Sequence, residues 1–176
     1  MTTAQHTHAD QLRPVDPDLF RTLLGRPTGA ACVVTAVARG SRPACLGDLG
    51  APLRSGFTAT SLTAVSQNPP LVSFQPDPIS SGALLLDRAE HVAVHLLGAD
   101  QIEVAAIFAT NGVDPFVAYP RWAAGPFGLP LLTGVLGRLL CRVVRRVPAG
   151  GQRVIAEPLA LSAGEPLARY SAAVPG

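Results

Sequence analysis

The sequence feature that most constrains the fold is a set of β-branched and apolar runs that are joined mainly by turn residues. The clearest pair is Pro130–Val147 and Arg153–Leu161, which are connected through Gly150 and Gly151. Two such runs on either side of a glycine turn predict an antiparallel hairpin. Helical patterns are confined to a few short segments, so the chain favours an antiparallel β-barrel with peripheral helices over a parallel α/β sheet.

Three further segments are predicted to be strands. The run from Ala30 to Ala38 is typical of a largely buried strand, Leu71–Gln75 forms a short one, and His91–Leu97 alternates as a strand with one buried face. Within Pro130–Val147, which is predicted to be one long or bent strand, Gly134 and Gly137 are expected to mark bulges or points of close approach.

The first helix is predicted from its end signals. Asp16 is placed to cap the N-terminus, Pro17 occupies the first helical position, and Gly25 follows the last turn as a C′ residue. The apolar side chains between them recur at helical spacing and are expected to face the core: Leu19, Phe20, Leu23 and Leu24.

Two more helices are predicted near the middle of the chain. Ser80 or Ser81 is expected to cap a short helix that runs to Asp87. Asp100 and Glu103 have the spacing of a capping box at the start of the next helix, which is expected to end near residue 109.

Length and composition indicate one domain. The chain has 176 residues, 48% of them hydrophobic, which allows one sizeable core but not two. Residues 1–13 are polar and aperiodic and are expected to be a flexible tail, including His6 and His8, so the folded domain is assigned to residues 14–176.

Charge and cysteine content exclude several classes of protein. The net charge is only +2, and all fourteen basic residues are arginines without interleaved aromatic residues, which argues against nucleic-acid binding. Three cysteines in no CxxC pair argue against a disulfide framework and favour a cytoplasmic protein. No apolar run approaches the roughly 18 residues of a membrane span, so no membrane association is expected.

An unusual set of hydroxyl groups lies in the apolar segment Gly56–Phe74, GFTATSLTAVSQNPPLVSF. Each hydroxyl that is taken out of water needs a partner or costs about 1–3 kcal/mol. The concentration of hydroxyls therefore indicates a ligand or a backbone that needs hydrogen-bond donors, and it falls on these residues: Thr58, Thr60, Ser61, Thr63 and Ser66.

Five segments of the sequence follow one another in this order: Phe20–Ala36, Gly56–Phe74, Ser80–Asp87, Val92–Ala109 and Gly128–Val143. Together they resemble the flavin reductase-like, FMN-binding split-barrel family, the short reductases of two-component flavin monooxygenases. No GxGxxG or GxxxxGK[ST] motif is present to indicate another nucleotide-binding fold. The resemblance covers most of the chain after Phe20.

The resemblance implies an antiparallel split β-barrel and the activity of an NAD(P)H-dependent flavin reductase. FMN or FAD would bind in the barrel, NADH or NADPH would reduce it, and the reduced flavin would serve a partner monooxygenase. It also implies a homodimer. Because the flavin carries the redox chemistry, no side chain is assigned as a catalytic acid, base or nucleophile, and no metal is expected.

The resemblance also assigns the flavin site. A tight turn at residues 58–61 would supply hydroxyls and backbone N–H groups, while Gly56 and Ala59 would leave room for the flavin ring. Ser80 and Ser81 would add hydroxyls at a helix start, although helix capping is the alternative role for them. The assigned cofactor-binding residues are Thr58, Ala59, Thr60, Ser61, Gln75, Ser80 and Ser81.

Residues on the nicotinamide or substrate side are assigned on weaker grounds: Gln152, His95 and Phe108. For His95 the alternatives are a packing or hydrogen-bonding role and a metal pair with His91. Phe108 and Trp122 are expected either to lie near the flavin ring or to belong to the core or a lid. Arg142, Arg145 and Arg146 form either a solvated strand face or an attractant for nucleotide phosphates.

One motif departs from the family pattern. Active members usually carry Gly-Asp-His at the turn before the last long strand, where it is associated with nicotinamide binding. Here the turn contains Gly150, Gly151 and Gln152, and Gln152 cannot titrate. The alternative hypothesis is therefore a repurposed split-barrel enzyme that has lost its nicotinamide site and acts directly on a small biosynthetic intermediate.

Overall fold

The computed structural model describes residues 11–25, 31–38 and 53–163. The residues His6, His8 and Cys45 lie outside these ranges. The described strands are β1 (Arg13–Pro14), β2 (Cys32–Ala38), β3 (Leu53–Gln67), β4 (Pro70–Pro76), β5 (His91–Leu96), β6 (Trp122–Ala124), β7 (Pro130–Leu132), β8 (Gly137–Pro148) and β9 (Gln152–Ala163). The helices are α1 (Pro17–Leu24), α2 (Ile102–Ala109), α3 (Pro115–Ala118), a long 3₁₀ helix (Ser81–Arg88) and a short one (Pro126–Gly128).

Six of these strands close into an antiparallel barrel. They follow one another in the order β9, β4, β3, β2, β5 and β8, and β8 pairs back with β9. Closure pairs the backbone groups that an open sheet would leave at its two edges. The antiparallel split-barrel class expected from the sequence is confirmed.

The barrel is filled by the inward side of each strand. Val34, Phe57, Phe74, Leu139 and Leu161 are each almost completely buried in one apolar cluster. Phe20 and Leu23 of α1 belong to the same cluster, and the Asp16 carboxylate caps that helix by accepting from the Leu19 N–H at 2.8 Å. The predicted first helix is confirmed except at its end, where Gly25 has φ −73° instead of a left-handed conformation.

A second apolar cluster lies outside the barrel and covers β2. It joins Val33 of β2 to Val104 and Phe108 of α2 and to Phe116 of α3. The start of α2 differs from the prediction, because Gln101 and not Asp100 occupies the cap position. Gln101 bonds instead to the Gly98 N–H and the Gly134 carbonyl, so its amide joins the helix start to the loop before β8.

Two strand predictions need correction. β5 does not alternate, because all its residues after His91 are buried. Val92, Val94 and Leu96 belong to the barrel core, and Ala93 packs in a third apolar cluster with Leu129, Leu131 and Leu140. The predicted single strand Pro130–Val147 is divided into β7 and β8, with Gly134 at φ +73° in the break. Gly137 is a point of close approach as expected, since a Cβ there would lie 2.8 Å from Leu23 Cδ2.

None of the described helices has the length and apolar character needed to cross a bilayer. Within the same residues, no three His, Cys, Asp or Glu side chains lie close enough together to hold a metal ion.

Candidate functional site

The hydroxyl-rich segment is one continuous strand with a distortion in its middle. β3 pairs regularly with β2 up to Ala59 and changes register against β4 between Thr60 and Thr63. Ser61 sits in this irregularity with φ +59°, a left-handed conformation that is uncommon for a side-chain-bearing residue. The predicted tight turn at residues 58–61 is therefore wrong, and a bulged strand takes its place.

Two of the predicted flavin-binding residues, Thr58 and Ala59, make contacts within the protein. Thr58 Oγ1 donates to the Ala105 carbonyl of α2 at 2.5 Å, which ties the helix to the barrel wall. Ala59 is 1% exposed and points into the barrel core. Neither side chain is free to meet a ligand, whereas Thr60 and Ser61 are exposed.

A cleft of about 550 Å³ opens beside the N-terminal half of β3. Such a volume lies in the range typical of small-molecule sites. The cleft is bounded by β3, the long 3₁₀ helix, the end of α2 and the loop into α3, and its lining combines apolar, hydroxyl, amide and charged groups: Leu53, Arg54, Ser55, Gly56, Ser80, Ser81, Gly82, Leu84, Leu85, Phe108, Thr110, Asn111, Val113, Asp114, Pro115 and Phe116.

One wall of the cleft is held by Asn111. Its Oδ1 accepts from the Ser81 N–H at 3.1 Å and from the Ser81 hydroxyl at 3.2 Å, and its Nδ2 donates to the Ile79 carbonyl at 3.0 Å. The loop after α2 is thereby joined to the start of the long 3₁₀ helix. Ser80, at the cap position of that helix, makes no side-chain capping bond.

Two glycines allow the cleft walls to approach β3. A Cβ on Gly56 would lie 2.6 Å from Phe108 Cε1, so Phe108 occupies the space that was expected to be open to the flavin ring. A Cβ on Gly82 would lie 2.8 Å from the Gly56 carbonyl oxygen. The long 3₁₀ helix is held at this distance by Ser55 Oγ, which donates to the Gly82 carbonyl at 2.6 Å.

Aromatic rings surround the charged end of the cleft. The guanidinium carbon of Arg54 lies 4.7 Å from the ring centroid of Trp122 and 5.9 Å from that of Phe116. The Trp122 indole N–H donates to the Phe116 carbonyl at 3.2 Å, which fixes one ring against the other. Trp122 therefore stabilises the Arg54 guanidinium, which lines the cleft.

A polar cluster separate from the cleft lies around the β8–β9 turn. Gly150 and Gly151 have φ +63° and +137°, which confirms the predicted glycine turn. Gln152 Nε2 donates to Asp87 Oδ1 at 2.6 Å, and Arg153 donates to Ser73 Oγ at 3.1 Å. The turn is thus connected to the end of the long 3₁₀ helix.

Gln75 belongs to this polar cluster at the β8–β9 turn and does not line the cleft. Its Oε1 accepts from Arg153 at 3.5 Å, and Thr60 of β3 is its register partner across the β3–β4 pair. The exposed hydroxyl of Thr60 and the amide of Gln75 therefore lie next to each other on the outer face of the barrel.

His95 is completely buried between β2 and β7. Its Nδ1 lies 3.0 Å from the Val33 carbonyl, and its Nε2 accepts from the Leu132 N–H at 3.1 Å. Because Nε2 accepts, the neutral ring carries its proton on Nδ1 and donates it to Val33. The assignment of His95 to the nicotinamide side is wrong, and a hydrogen-bonding role within the fold replaces it.

The buried thiols are also unsuited to chemistry. Desolvation raises the pKa of Cys32 to about 12 and also raises that of Cys141 above its usual range. A thiolate is therefore not available at either position at neutral pH.

Comparison with known proteins identifies the family. Residues 24–169 match the flavin reductase like domain. The chain belongs to the flavin reductase-like family.

Individual relatives agree with this membership. The chain is 31% identical to a flavin-dependent monooxygenase reductase subunit of Rhodococcus jostii, across 81% of this chain and 66% of that protein. It is 37% identical to an NADH:FMN oxidoreductase of Rhodococcus qingshengii, across 57% of this chain and 52% of that protein. The chain thus spans less than two thirds of the length of either relative.

A solved structure gives the same result for the fold. The NADH:FAD oxidoreductase of Streptomyces globisporus, in complex with NAD and FAD fragments, superposes with a TM-score of 0.63 at 27% identity. The match covers 86% of this chain and 87% of that one. The fold of this chain is therefore similar to that of the flavin reductase over most of its length.

Sequence reasoning missed five polar residues that line the cleft of this flavin reductase-like chain: Arg54, Ser55, Thr110, Asn111 and Asp114. Asp114 was detectable, because an Asp followed by Pro115 is a helix-start signal, and its carboxylate does accept from the Phe116 N–H at 2.9 Å. Arg54, Ser55 and Asn111 carry no local motif, since their contacts are with residues distant in the chain.

The buried His95 predicts a pH dependence of stability. Burial lowers the pKa of His95 to about 3, and the positive charge of Arg138 acts in the same direction, whereas the bond to Val33 opposes it. Between about pH 6.5 and 3 the unfolded chain therefore binds a proton that the folded chain does not, and stability falls as the pH falls. We expect acidification from pH 7 to 5 to cost about 2 kcal/mol through His95.

Urea denaturation at both pH values measures this difference. The variant His95→Gln cannot titrate at this position, so its loss on acidification should be smaller than that of the wild type by about the same amount. Equal losses in the two proteins would contradict the assignment.

Proposed function

We propose that the protein is an NAD(P)H-dependent flavin reductase that supplies reduced FMN or FAD to a partner flavin-dependent monooxygenase. Membership of the flavin reductase-like family supports this proposal, as do the names of the relatives, one a monooxygenase reductase subunit and another an NADH:FMN oxidoreductase. The named nucleotide in that second relative, NADH, makes NADH the first cofactor to test.

The chemistry of the cleft is the observation that carries the proposal. A flavin mononucleotide has a planar ring, a hydroxylated chain and an anionic phosphate. Leu85 and Phe108 offer apolar surface, Ser80 and Ser81 offer hydroxyls, and Arg54 offers a positive charge within the same cavity. These groups fit such an elongated, amphipathic ligand.

We assign the two ends of the flavin to different sites along the direction of β3. The polar end would bind in the cleft at Ser80 and Ser81, and the ring would extend toward Thr60, Ser61 and Gln75. Thr60 lies four residues beyond Gly56, which is about 13 Å at the rise of an extended strand. Support for this placement is the exposure of Thr60 and Ser61.

Bound flavin would supply the redox chemistry by accepting hydride from the reduced nicotinamide. The side chains of this protein bind and orient the reactants, and none of them is assigned to move a proton. This agrees with the environment of the described thiols and of His95, which are all buried.

The nicotinamide would approach from the β8–β9 turn. Gln152 stands where family members usually carry His, and its amide is held by Asp87. An amide donates and accepts hydrogen bonds without titrating, so nicotinamide binding at this turn should not depend on the protonation of residue 152.

We also propose a homodimer. Exposed apolar side chains surround the cleft mouth and the neighbouring α3: Ile79, Leu84, Val113 and Val117 are between 52% and 77% exposed. Apolar patches of this kind often mark subunit contacts. Light scattering on the purified protein tests the assembly directly.

The reductase proposal is tested by following NADH absorbance with added FMN. We expect flavin-dependent NADH oxidation by the wild type and, for Asn111→Ala, a rise of about tenfold in the KM for FMN, because the variant releases the cleft wall formed by Ser81. Gln67→Ala removes an exposed amide at the far end of β3 and serves as the control.

The two measurements test the reductase activity and the location of the flavin site separately. Absence of FMN-dependent oxidation with both NADH and NADPH would contradict the proposed function. An unchanged KM in Asn111→Ala, with normal wild-type activity, would contradict the placement of the flavin in this cleft.

A further inference from the structure

We propose that Arg54 binds the phosphate of flavin mononucleotide and thereby makes the protein selective for the phosphorylated flavin over riboflavin. This inference rests on the proposed function, because it names the ligand group that the cleft recognises. Among the described residues that line the cleft, Arg54 carries the one positive charge and Asp114 the one negative charge.

The negative charge of Asp114 is not paired with Arg54. The Asp114 carboxylate caps α3 through the Phe116 N–H, and no ion pair links Arg54 to a carboxylate anywhere in the described ranges. The guanidinium therefore lies at the cleft without a neutralising partner among these residues. An anionic ligand would supply that partner.

The guanidinium is also held in place. Its central carbon lies over the rings of Trp122 and Phe116, and such cation–π contacts occupy the face of the cation. The planar N–H edge remains for hydrogen bonding, and this edge matches two phosphate oxygens at once. Arg54 is itself exposed, but its contacts with the two rings restrict the side chain, so it loses less side-chain entropy on binding than an arginine without such contacts.

A hydroxyl donor is present in the same cleft. Ser80 lines it and is half-buried, yet its hydroxyl makes no capping bond to the long 3₁₀ helix. Ser81, in contrast, donates its hydroxyl to Asn111. Ser80 can therefore donate to a ligand oxygen without breaking a bond of the fold, and together with Arg54 it forms a site for a phosphate monoester.

The test compares FMN with riboflavin, which lacks only the phosphate. In the wild type, FMN should bind at least about tenfold more tightly than riboflavin, and Arg54→Met should remove most of this difference while leaving riboflavin binding within about twofold. Arg21→Met removes an exposed guanidinium from α1 and should leave both affinities unchanged. Quenching of flavin fluorescence measures binding without NADH.

Two results would overturn the proposal. If Arg54→Met weakened FMN and riboflavin equally, Arg54 would shape the cleft without recognising a phosphate. If the variant raised the KM for NADH and left that for FMN unchanged, the recognised phosphate would belong to the dinucleotide. Arg54→Lys, which keeps the charge but loses the planar fork, should retain part of the preference for FMN.

Failure of the proposed function gives a different pattern. In that case the wild type would not oxidise NADH with any flavin, whereas the binding comparison would still be measurable. Loss of the FMN preference in Arg54→Met would then support the phosphate site by itself, and an unchanged preference would reject it.

Discussion

Replacing His95 with leucine is expected to lower the free energy of unfolding by about 3–5 kcal/mol. Leucine fills a similar space but leaves two buried backbone groups without partners, the Val33 carbonyl and the Leu132 N–H. These groups belong to β2 of the barrel and to β7 outside it, so the imidazole is one link between the two layers, beside the bond from Thr35 Oγ1 to the Pro130 carbonyl. Chemical denaturation at pH 7 measures the loss.

His91→Leu is the matched control. His91 is half-buried, and its ring stacks on Phe127 at a centroid distance of 3.8 Å without holding buried backbone groups. Its replacement should cost about 1 kcal/mol. A loss of less than about 1 kcal/mol in His95→Leu would show that the two backbone groups find other partners and would refute the linking role.

The second large effect is expected from Gly82→Ala. The new methyl group would lie 2.8 Å from the Gly56 carbonyl oxygen and 3.1 Å from Phe57 Cβ, and a strand backbone cannot yield as a side chain can. The long 3₁₀ helix must then move away from β3 and lose the bond from Ser55 to Gly82. We expect a stability loss of about 1–3 kcal/mol and FMN binding weakened at least about tenfold.

Gly128→Ala separates steric overlap from backbone strain. Gly128 has φ +74°, and no atom lies within 4 Å of the place that a new methyl group would take, so alanine there strains the backbone without contacting other atoms. Its cost should be about 1 kcal/mol, with FMN binding unchanged. FMN titration of both variants tests the idea, and normal binding by Gly82→Ala would show that the cleft does not depend on this close approach.

Much of the fold was predictable because its signals are local. Asp16 and Pro17 define the start of α1, and Gly150 with Gly151 defines the β8–β9 turn, since capping and positive φ angles depend only on neighbouring residues. The division of Pro130–Val147 into β7 and β8 was missed, because the apolar run continues through the break that Gly134 makes.

The candidate site was predictable only in part. Ser80, Ser81 and Phe108 do line the cleft, whereas the other predicted flavin-binding residues do not: Thr58, Ala59, Thr60, Ser61 and Gln75. A hydroxyl looks the same in a sequence whether it meets a ligand or, as at Thr58, a helix carbonyl. Which of the two occurs depends on the element that packs against the strand.

The sequence by itself determined the antiparallel character of the sheet, the β8–β9 turn and the start of α1, because these follow from the periodicity and chemistry of adjacent residues. Only the tertiary structure decided the cleft, the pairing of Arg54 with Trp122 and the enclosure of His95. These depend on contacts between residues far apart in the chain, which barrel closure and the packing of α2 and α3 on its outside bring together.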